Sequence, residues 1–393
     1  MKIVVIGGAG LMGPTIVRDL SESPGVEEIL VADCQEEKVK ELAASFNDSR
    51  IKASFVDASN IEETANLIKG YDAVINSALP YANVSTMKAC LKAGYHYNDL
   101  GGMFHTTRKQ LELFDDFRKA GLTALLGIGS APGTTNILAR YAYDQLDKVE
   151  AVRVSSAGVD LTDTKGIDPF KPPYSIRTMM EEFTDDAVEF IDGAYKTVPA
   201  LSGVEEISYP EPIGRCVCFY TLHSEPATIP DSFKDKGVRE VTWKLGLPPK
   251  LVERVKFLAS VGFGSTEPIK VQDVEVVPRE VMAAVVDKQL KDKLEGVELK
   301  PNIIRARRAQ VIGEKNGRKV EYVLDCISGV HSRWGVHCAT QVPPSVAAQM
   351  QAKGMIRKPG VWAPEQLIDP VYFFKELAKR EMHVQVTVKE YLT

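Results

Sequence analysis

The sequence has few cysteines, no long apolar run and no excess of basic residues, and each absence excludes a class of protein. The six cysteines among 393 residues are dispersed without a Cys-x-x-Cys pair, so neither a disulfide framework nor a zinc ribbon is indicated. No stretch approaches the roughly 20 apolar residues of a membrane helix. The apolar run at residues 3–6 is too short for the core of a signal peptide. We therefore expect a cytoplasmic protein.

The charge balance excludes two further classes. Hydrophobic residues make up 44% of the chain and charged residues 26%, with a formal net charge of −5. This mild acidity argues against nucleic-acid binding, which needs clustered Lys and Arg, and the composition argues against disorder. A chain of this length suggests two or three domains.

The order of predicted elements divides the chain into two domains and a tail. Residues 1–135 alternate short β-branched runs with helical patterns, which predicts an α/β domain with a doubly wound parallel sheet of the Rossmann type. Residues 136–340 contain longer strands with alternating polarity, which predicts a mixed or antiparallel α+β domain. The pair Asn316-Gly317 predicts a hairpin there. Residues 341–393 read as a helical tail that packs back on the first domain.

A glycine-rich turn follows the first predicted strand. Residues 8–13 read Gly-Ala-Gly-Leu-Met-Gly, a G-x-G-x-x-G motif that opens a helix. Gly8 would permit the tight turn, Gly10 would let the backbone approach a pyrophosphate, and Gly13 would let the helix lie close to the sheet. Leu11 and Met12 complete this predicted phosphate-binding turn.

An acidic residue stands where the cofactor's ribose would need it. Asp33 ends the second predicted strand, and no Arg follows it to accommodate a 2′-phosphate, so NAD is preferred over NADP. Asp57, with Ala58, either contacts the adenine edge or belongs to a helix N-cap region. The loop after the fourth strand should line the dinucleotide toward its nicotinamide half, through Ser77, Ala78, Leu79 and Pro80.

Polar residues at strand ends near the predicted domain junction supply the candidate chemistry. Asp99 ends a central parallel strand, where a carboxylate is costly unless it is capped, paired or used. Pro132 and Gly133 form a turn that opens a helix, alongside any role in binding. His223, Ser224 and Glu225 end a strand of the second domain, and strand alternation would place His223 and Glu225 on one face as an acid/base pair. Local packing explains His331, His337 and Cys338 better than a metal site does.

Five segments make the chain resemble the saccharopine dehydrogenase-like family, and within it the lysine 6-dehydrogenase type. They are the glycine turn 8–13 and residues 76–80, 131–136, 223–228 and 360–365. The resemblance implies an NAD(P)-dependent oxidoreductase that acts on the C–N bond of a small amino-acid or polyamine-like substrate, commonly as a homodimer. It leaves the substrate and the reaction direction open.

The implied chemistry assigns roles to residues and leaves two alternatives. His223 is the first choice for acid/base catalysis, Glu225 orients it or holds the substrate amine, and Asp99 is the other amine-binding candidate. Tyr174 and Ser224 would line the pocket, and a substrate carboxylate would need a cation from among Arg215, Arg177 and Arg333. Imine reduction of the carboxynorspermidine dehydrogenase type is the alternative reaction. A non-catalytic NAD-sensing regulatory protein is the alternative from another class.

Overall fold

The computed structural model describes residues 1–329 and 333–392. The first domain is a parallel sheet covered by helices on both faces. Its apolar strands are buried on both sides; Ile3 to Ile6 are at most 1% exposed, as expected for a parallel sheet. Its strands are β1 (Lys2–Ile6), β2 (Glu28–Asp33), β3 (Ile51–Phe55), β4 (Ala73–Asn76), β5 (Tyr97–Asp99) and β6 (Thr123–Leu125). Its helices are α1 (Gly13–Glu22), α2 (Glu36–Ser45), α3 (Ile61–Leu67), α4 (Asn83–Ala93), α5 (Phe104–Leu111), α6 (Phe114–Lys119) and α7 (Thr134–Gln145).

The second domain is built on a mixed sheet in the order β10-β11-β12-β7-β15-β16, with β7 and β12 parallel to each other. Both predicted domain types are confirmed. The strands are β7 (Lys148–Asp160), β8 (Ala187–Ile191), β9 (Ala194–Val198), β10 (Glu205–Ser208), β11 (Arg215–Tyr220), β12 (Glu240–Gly246), β13 (Ile269–Val271), β14 (Val274–Val276), β15 (Ile303–Lys315) and β16 (Arg318–Ser328). The helices are α8 (Ile176–Thr184), α9 (Glu225–Phe233), α10 (Pro249–Ser260) and α11 (Pro278–Leu294).

The predicted hairpin joins β15 to β16, which pair antiparallel from Arg305–Ser328 to Lys315–Arg318. Its turn residues Asn316 and Gly317 have φ values of +52° and +74°, the left-handed conformations that a two-residue hairpin turn of type I′ requires. The Asn-Gly pair therefore sets the register of the long strand that crosses the second domain.

The tail belongs to both domains, and its two strands were not predicted. It comprises α12 (Cys338–Ala352), β17 (Gly360–Trp362), α13 (Pro364–Leu367), α14 (Pro370–Ala378) and β18 (His383–Glu390). Strand β17 adds to the first sheet beside β6, whereas β18 adds to the second sheet beside β16. The β17 run is only three residues long and carries little sequence signal. In β18, Val384, Val386 and Val388 alternate with polar residues, a strand pattern that the sequence analysis did not use. Within the described ranges, no helix is long and apolar enough to cross a membrane.

A buried ion pair holds the tail against α1. The Arg380 Nε donates to Asp19 Oδ1 at 2.5 Å, and the Ser345 hydroxyl donates to Asp19 Oδ2 at 2.5 Å. The Asp19 side chain is 1% exposed. Because a buried carboxylate depends on its partners, this contact ties residues 345–380 to the first domain.

We predict that Arg380→Ala lowers the free energy of unfolding by about 3–5 kcal/mol, because it leaves the Asp19 carboxylate buried without its cation. Denaturant unfolding followed by circular dichroism measures this loss. The matched control is Lys40→Ala, which removes an exposed ion pair with Glu36 and should cost less than about 1 kcal/mol. Equal costs for the two variants would contradict the role given to Arg380.

Candidate active site

The carboxyl ends of β1 and β4 meet at one edge of the first sheet, because the two strands are parallel neighbours. Here Gly7, and not Gly8, has the left-handed backbone, with φ +74°. A Cβ on Gly7 would lie 2.4 Å from the backbone nitrogen of Ala78, and one on Gly8 would lie 2.4 Å from Val31 Cγ1. Gly7 therefore makes the tight turn that the motif predicted for Gly8, and Gly8 serves close packing on β2.

Gly13 serves close packing as the motif predicted, and the approach of a pyrophosphate to Gly10 stays a prediction. A Cβ on Gly13 would lie 1.8 Å from the carbonyl oxygen of Gly8, so α1 begins directly against the turn. At Gly10, a Cβ would meet only one backbone oxygen, at 3.2 Å, so this backbone is open to a ligand. Leu11 is 57% exposed beside it. An open turn at the N-terminus of a ten-residue helix fits a dinucleotide pyrophosphate.

Asp33 lies at the end of β2 against the same turn. Its carboxylate accepts hydrogen bonds from the backbone N–H groups of Ala9 at 3.1 Å and Gln35 at 3.0 Å. Nearby, Lys40 forms ion pairs with Glu36 at 2.9 Å and with Glu37 at 3.1 Å. Asp33 is therefore placed where the ribose hydroxyls of a bound dinucleotide would lie, and the contact to ribose stays a prediction.

The other predicted cofactor residues lie along this edge. Asp57 is exposed and accepts hydrogen bonds from the N–H and hydroxyl of Ser59, which lower the pKa of Asp57. Asn60 is the N-cap of α3, and the Asp57 carbonyl accepts a hydrogen bond from the Asn60 N–H at 2.9 Å. Asp57 therefore belongs to the N-cap region, and the adenine contact stays a prediction. The loop after β4 is held by Ser77, whose hydroxyl donates to the Ile6 carbonyl at 2.8 Å. The residues that follow it are Ala78, Leu79 and Pro80, and Leu79 is 47% exposed.

Asp99 is fully buried, and every acceptor position of its carboxylate is used. Oδ1 accepts from the backbone N–H groups of Gly101 at 2.8 Å and Gly127 at 2.6 Å. Oδ2 accepts from the Tyr97 hydroxyl at 2.8 Å and the Gln110 amide at 2.6 Å. No acceptor remains for a substrate amine. The structure thus corrects the predicted amine-binding role: Asp99 holds the loops after β5 and β6 together.

The segment of residues 129–136, which we call the junction loop, ends in the first turn of α7 and connects the first sheet to the second domain. It folds on itself through Gly129 and Gly133, where an added Cβ on Gly133 would lie 2.4 Å from the Gly129 nitrogen. Pro132 accepts a hydrogen bond from the Gly129 N–H at 2.9 Å. The Thr135 hydroxyl donates to Glu225 Oε1 at 2.8 Å. Ser224 makes a second contact between the two domains, because its hydroxyl donates to the Gly102 carbonyl.

His223 and Glu225 meet as predicted, but not by strand alternation. Strand β11 ends at Tyr220, and Glu225 opens helix α9, whose early Pro226 suits a first turn. His223 Nδ1 hydrogen-bonds Glu225 Oε2. The segment after Ser224 is therefore a helix, and the pair forms across the strand-to-helix turn.

The His223 ring is held by stacking on Trp243 and by its hydrogen bond to Glu225. It stacks on Trp243, with ring centroids 3.9 Å apart and planes 14° apart, and its side chain is 11% exposed. Burial opposes the charged form, but the carboxylates of Glu225 and Glu182 outweigh it and raise the pKa of His223. Nε2 has no hydrogen bond to the part of the chain that the structure describes. An oriented imidazole with one free nitrogen is suited to exchange a proton with a substrate.

Two further acids beside His223 were missed by sequence reasoning. Glu182 of α8 is 4% exposed and accepts a hydrogen bond from the Tyr174 hydroxyl. Burial raises the pKa of Glu182 to about 7, while His223 and Tyr174 oppose the rise. Glu189 is fully buried and accepts a hydrogen bond from the backbone N–H of Trp243 at 2.9 Å. Both come from segments without a recognisable pattern, so only the fold brings them to the site. Tyr174 is placed there as predicted.

The predicted carboxylate-binding arginines are engaged elsewhere. Arg215 is 76% exposed and pairs with Glu206, Arg177 pairs with Glu280, and Arg333 pairs with Glu22 on α1. Arg215 also begins β11, eight residues before His223, so the extended strand carries it away from the pair. The arginine that reaches the junction loop is Arg307, which donates to the Ser130 hydroxyl. Alternation along β15 points it inward, a signal that the sequence analysis did not use.

The possible metal ligands do not form a site in the described part of the chain. Across residues 1–329 and 333–392, no three His, Cys, Asp or Glu side chains converge on a point that could hold a metal ion. Burial and the nearby cations Arg305, Lys171 and Arg307 lower the pKa of His337 to about 4. Cys338 is buried, and His331 lies outside the described residues.

A parallel sheet with this glycine turn and acid, joined to a second domain that carries an acid/base pair, defines an NAD(P)-dependent oxidoreductase. Residues 3–125 match the saccharopine dehydrogenase NADP binding domain, and residues 129–382 match the saccharopine dehydrogenase C-terminal domain. The chain belongs to the saccharopine dehydrogenase family. The resemblance seen in the sequence is thereby confirmed.

Two curated relatives are similar along nearly the whole chain. Carboxyaminopropylagmatine dehydrogenase of Synechocystis sp. is 25% identical over 96% of both chains. Carboxynorspermidine synthase of Vibrio cholerae is 24% identical over 93% of this chain and 92% of its own.

Two solved structures share the fold. Saccharopine dehydrogenase (L-Glu forming) of Saccharomyces cerevisiae has a TM-score of 0.72 at 16% identity and 99% coverage of both chains. Homospermidine synthase of Legionella pneumophila, solved in complex with NAD, has a TM-score of 0.69 at 13% identity, covering 100% of this chain and 91% of its own.

We predict that Asp33→Asn weakens NAD binding by roughly tenfold to a hundredfold. It should also reduce the preference of the enzyme for NAD over NADP. The amide keeps the size of the side chain but removes the charge that favours ribose hydroxyls and repels a 2′-phosphate. Titration of reduced dinucleotide fluorescence measures both affinities. Glu36→Gln, an equal charge change at the exposed start of α2, is the control and should leave the ratio of the two affinities unchanged. An unchanged ratio in Asp33→Asn would remove the ribose role.

Proposed function

We propose that this enzyme makes or breaks the secondary-amine C–N bond of a carboxylated polyamine, with His223 as the proton-transfer group. The observation that carries the proposal is the His223–Glu225 pair, which the Thr135 hydroxyl ties to the junction loop. The names of the two curated relatives favour carboxylated polyamines over lysine or saccharopine. The proposal therefore prefers imine reduction of the carboxynorspermidine type over lysine 6-dehydrogenation.

The chemistry requires a proton acceptor for the amine, a hydride acceptor and one water molecule for the imine. A bound nicotinamide accepts the hydride in the oxidative direction and donates it in the reductive one. His223 takes a proton from the substrate ammonium through Nε2, which frees the nitrogen lone pair as hydride leaves the adjacent carbon. Glu225 holds the ring through Nδ1 and stabilises the imidazolium. Water then adds to the imine carbon, and cleavage of the C–N bond releases an amine and a carbonyl compound.

The surrounding acids suit a substrate that carries more than one amino group. The side chains of Glu182, Glu225 and Glu189 are at most 4% exposed. The charge of Glu225 helps to raise the pKa of each of the other two. A polyamine chain would supply the cations that such a cluster lacks. This is why we favour a polyamine, which carries several amino groups, over lysine and saccharopine, which carry two each.

The location and assembly of the protein belong to the same proposal. We propose a cytoplasmic homodimer. The six cysteines are dispersed along the sequence without a Cys-x-x-Cys pair, which supports a reducing compartment. Exposed apolar side chains on α10 and α11, including Phe257 at 65% and Val285 at 60% exposure, border an apolar hollow of about 380 Å³ and support association.

A substrate panel tests the proposed reaction. With NAD or NADP, we expect oxidation of carboxyaminopropylagmatine or carboxynorspermidine with a kcat/KM at least about tenfold above that for lysine and saccharopine, because only the first two offer extra cations to the acidic cluster. Reduced nicotinamide absorbance reports turnover.

His223→Ala should lower kcat by about 10²- to 10⁴-fold and leave dinucleotide affinity unchanged. His383→Ala, on the exposed strand β18, is the control. Tight dinucleotide binding without turnover of any amine would instead support a nucleotide-sensing regulatory protein.

A further inference from the structure

Strand β15 directs two arginines of the second domain to one face, because residues 305 and 307 are two apart. Arg307 is 3% exposed, and its guanidinium donates to the Ser130 hydroxyl and to the Ser328 hydroxyl, the latter at 2.7 Å. Arg305 donates to the Pro173 carbonyl at 3.0 Å. Both arginines therefore have only neutral hydrogen-bond acceptors.

Elsewhere the protein pairs its buried arginines with acids. Arg308, the next residue along β15, points to the opposite face and donates to both oxygens of Asp325, at 2.8 and 2.7 Å. Arg380 is paired with Asp19. Within the described residues, no carboxylate lies within 4.0 Å of a nitrogen of Arg305 or Arg307. An unpaired buried cation is costly, so an anion supplied from outside would stabilise this pair.

The surroundings of the two arginines are positive. Asp160 and Tyr174 act favourably on Arg305, but burial outweighs them and lowers the pKa of Arg305. Burial and the neighbouring Arg305 lower the pKa of Arg307 to about 10. Burial, together with the same cations and Lys171, lowers the pKa of His337 to about 4. The charges at this end of the site are thus opposite in sign to those around His223.

Two connections place the arginines near the acid/base pair. On the junction loop, Ser130 contacts Arg307 and Thr135 contacts Glu225, and five residues span at most about 18 Å. On the other side, Arg305 holds the Pro173 carbonyl, and the next residue, Tyr174, hydrogen-bonds Glu182 beside His223. One site therefore has a cationic end and an acidic end, with Tyr174 between them.

We infer that Arg305 and Arg307 form the subsite for the substrate carboxylate, which orients the substrate with its amino groups toward Glu182, Glu225 and Glu189. This inference rests on the proposed function and sharpens it. A guanidinium fork binds a carboxylate by two parallel hydrogen bonds. The enzyme should select dipolar substrates that carry a carboxylate at one end and cationic nitrogen at the other.

Binding of matched ligands with and without the carboxylate tests the inference independently of turnover. The pairs are carboxynorspermidine with norspermidine, and carboxyaminopropylagmatine with aminopropylagmatine. Calorimetric titration of the wild-type protein, saturated with dinucleotide, should show tighter binding of the carboxylated member of at least one pair, by about tenfold to a hundredfold. Arg307→Met should abolish most of this difference, while Arg307→Lys should restore part of it.

The control is Arg318→Met, which removes an exposed arginine of the same hairpin and should keep the full preference. Arg305→Met, the less buried member of the pair, provides a second variant if Arg307→Met does not fold. A wild-type protein that shows no preference for the carboxylate in either pair overturns the inference. So does a preference that survives in both arginine variants. If the enzyme turns over these amines but shows no carboxylate preference, only the inference is contradicted. If the preference depends on Arg307 but no amine is turned over, only the proposed function is contradicted.

Discussion

The hydrogen bonds of the junction loop are the contacts on which the site depends. The loop follows β6 of the first domain by a few residues, and it reaches three separate parts of the chain. Thr135 binds Glu225 of the acid/base pair, Ser130 binds Arg307 on β15, and the Asn136 amide donates to Glu365 of the tail at 2.9 Å. A shift of this loop would move the acid, the cation and the tail together. Asp99 restrains the same region through Gly127.

The junction concentrates ionisable groups that are costly to bury. Glu182, Glu189, Glu225 and Glu365 are all at most 4% exposed, and burial raises the pKa of Glu365 as it does those of Glu182 and Glu189. Hydrogen bonds from Thr135, Asn136 and Ser232 compensate part of this cost. Glu189 keeps one oxygen without a partner in the described structure. Such groups are retained for function or specificity more readily than for stability.

Local patterns in the sequence predicted the dinucleotide domain well. The glycine turn, Asp33 and the alternation of strands and helices depend on residues close in sequence, and the Asn-Gly hairpin depends on two adjacent ones. Even there, Gly7 takes the turn assigned to Gly8, because the loop of β4 approaches from 70 residues away. The pairing of His223 with Glu225 was predicted because the two residues are neighbours, although the helix that begins at Glu225 was not.

Contacts between distant segments could not be predicted in the same way. Glu182, Glu189 and Arg307 reach the site from three elements. Alternation along β15 indicates that Arg307 points inward, but nothing in the segments of Glu182 and Glu189 distinguishes them from ordinary surface charges. The saturation of Asp99 needs donors from three other segments, so a carboxylate at a strand end looked available when it was not. The tail strands depend on sheet edges that exist only after both domains have folded.

The central claim is that His223, held by Glu225, exchanges a proton with the substrate amine. Because the carboxylates raise the pKa of His223, the neutral base is lost as pH falls through that raised value. The pH dependence of kcat/KM for amine oxidation measures this directly. We predict that activity rises with pH through an apparent pKa above the ordinary histidine value, and that Glu225→Gln shifts the rise to lower pH because it removes a charge that favours the imidazolium. Glu206→Gln, an exposed control on β10, should leave it in place. An unshifted rise in Glu225→Gln would contradict the account.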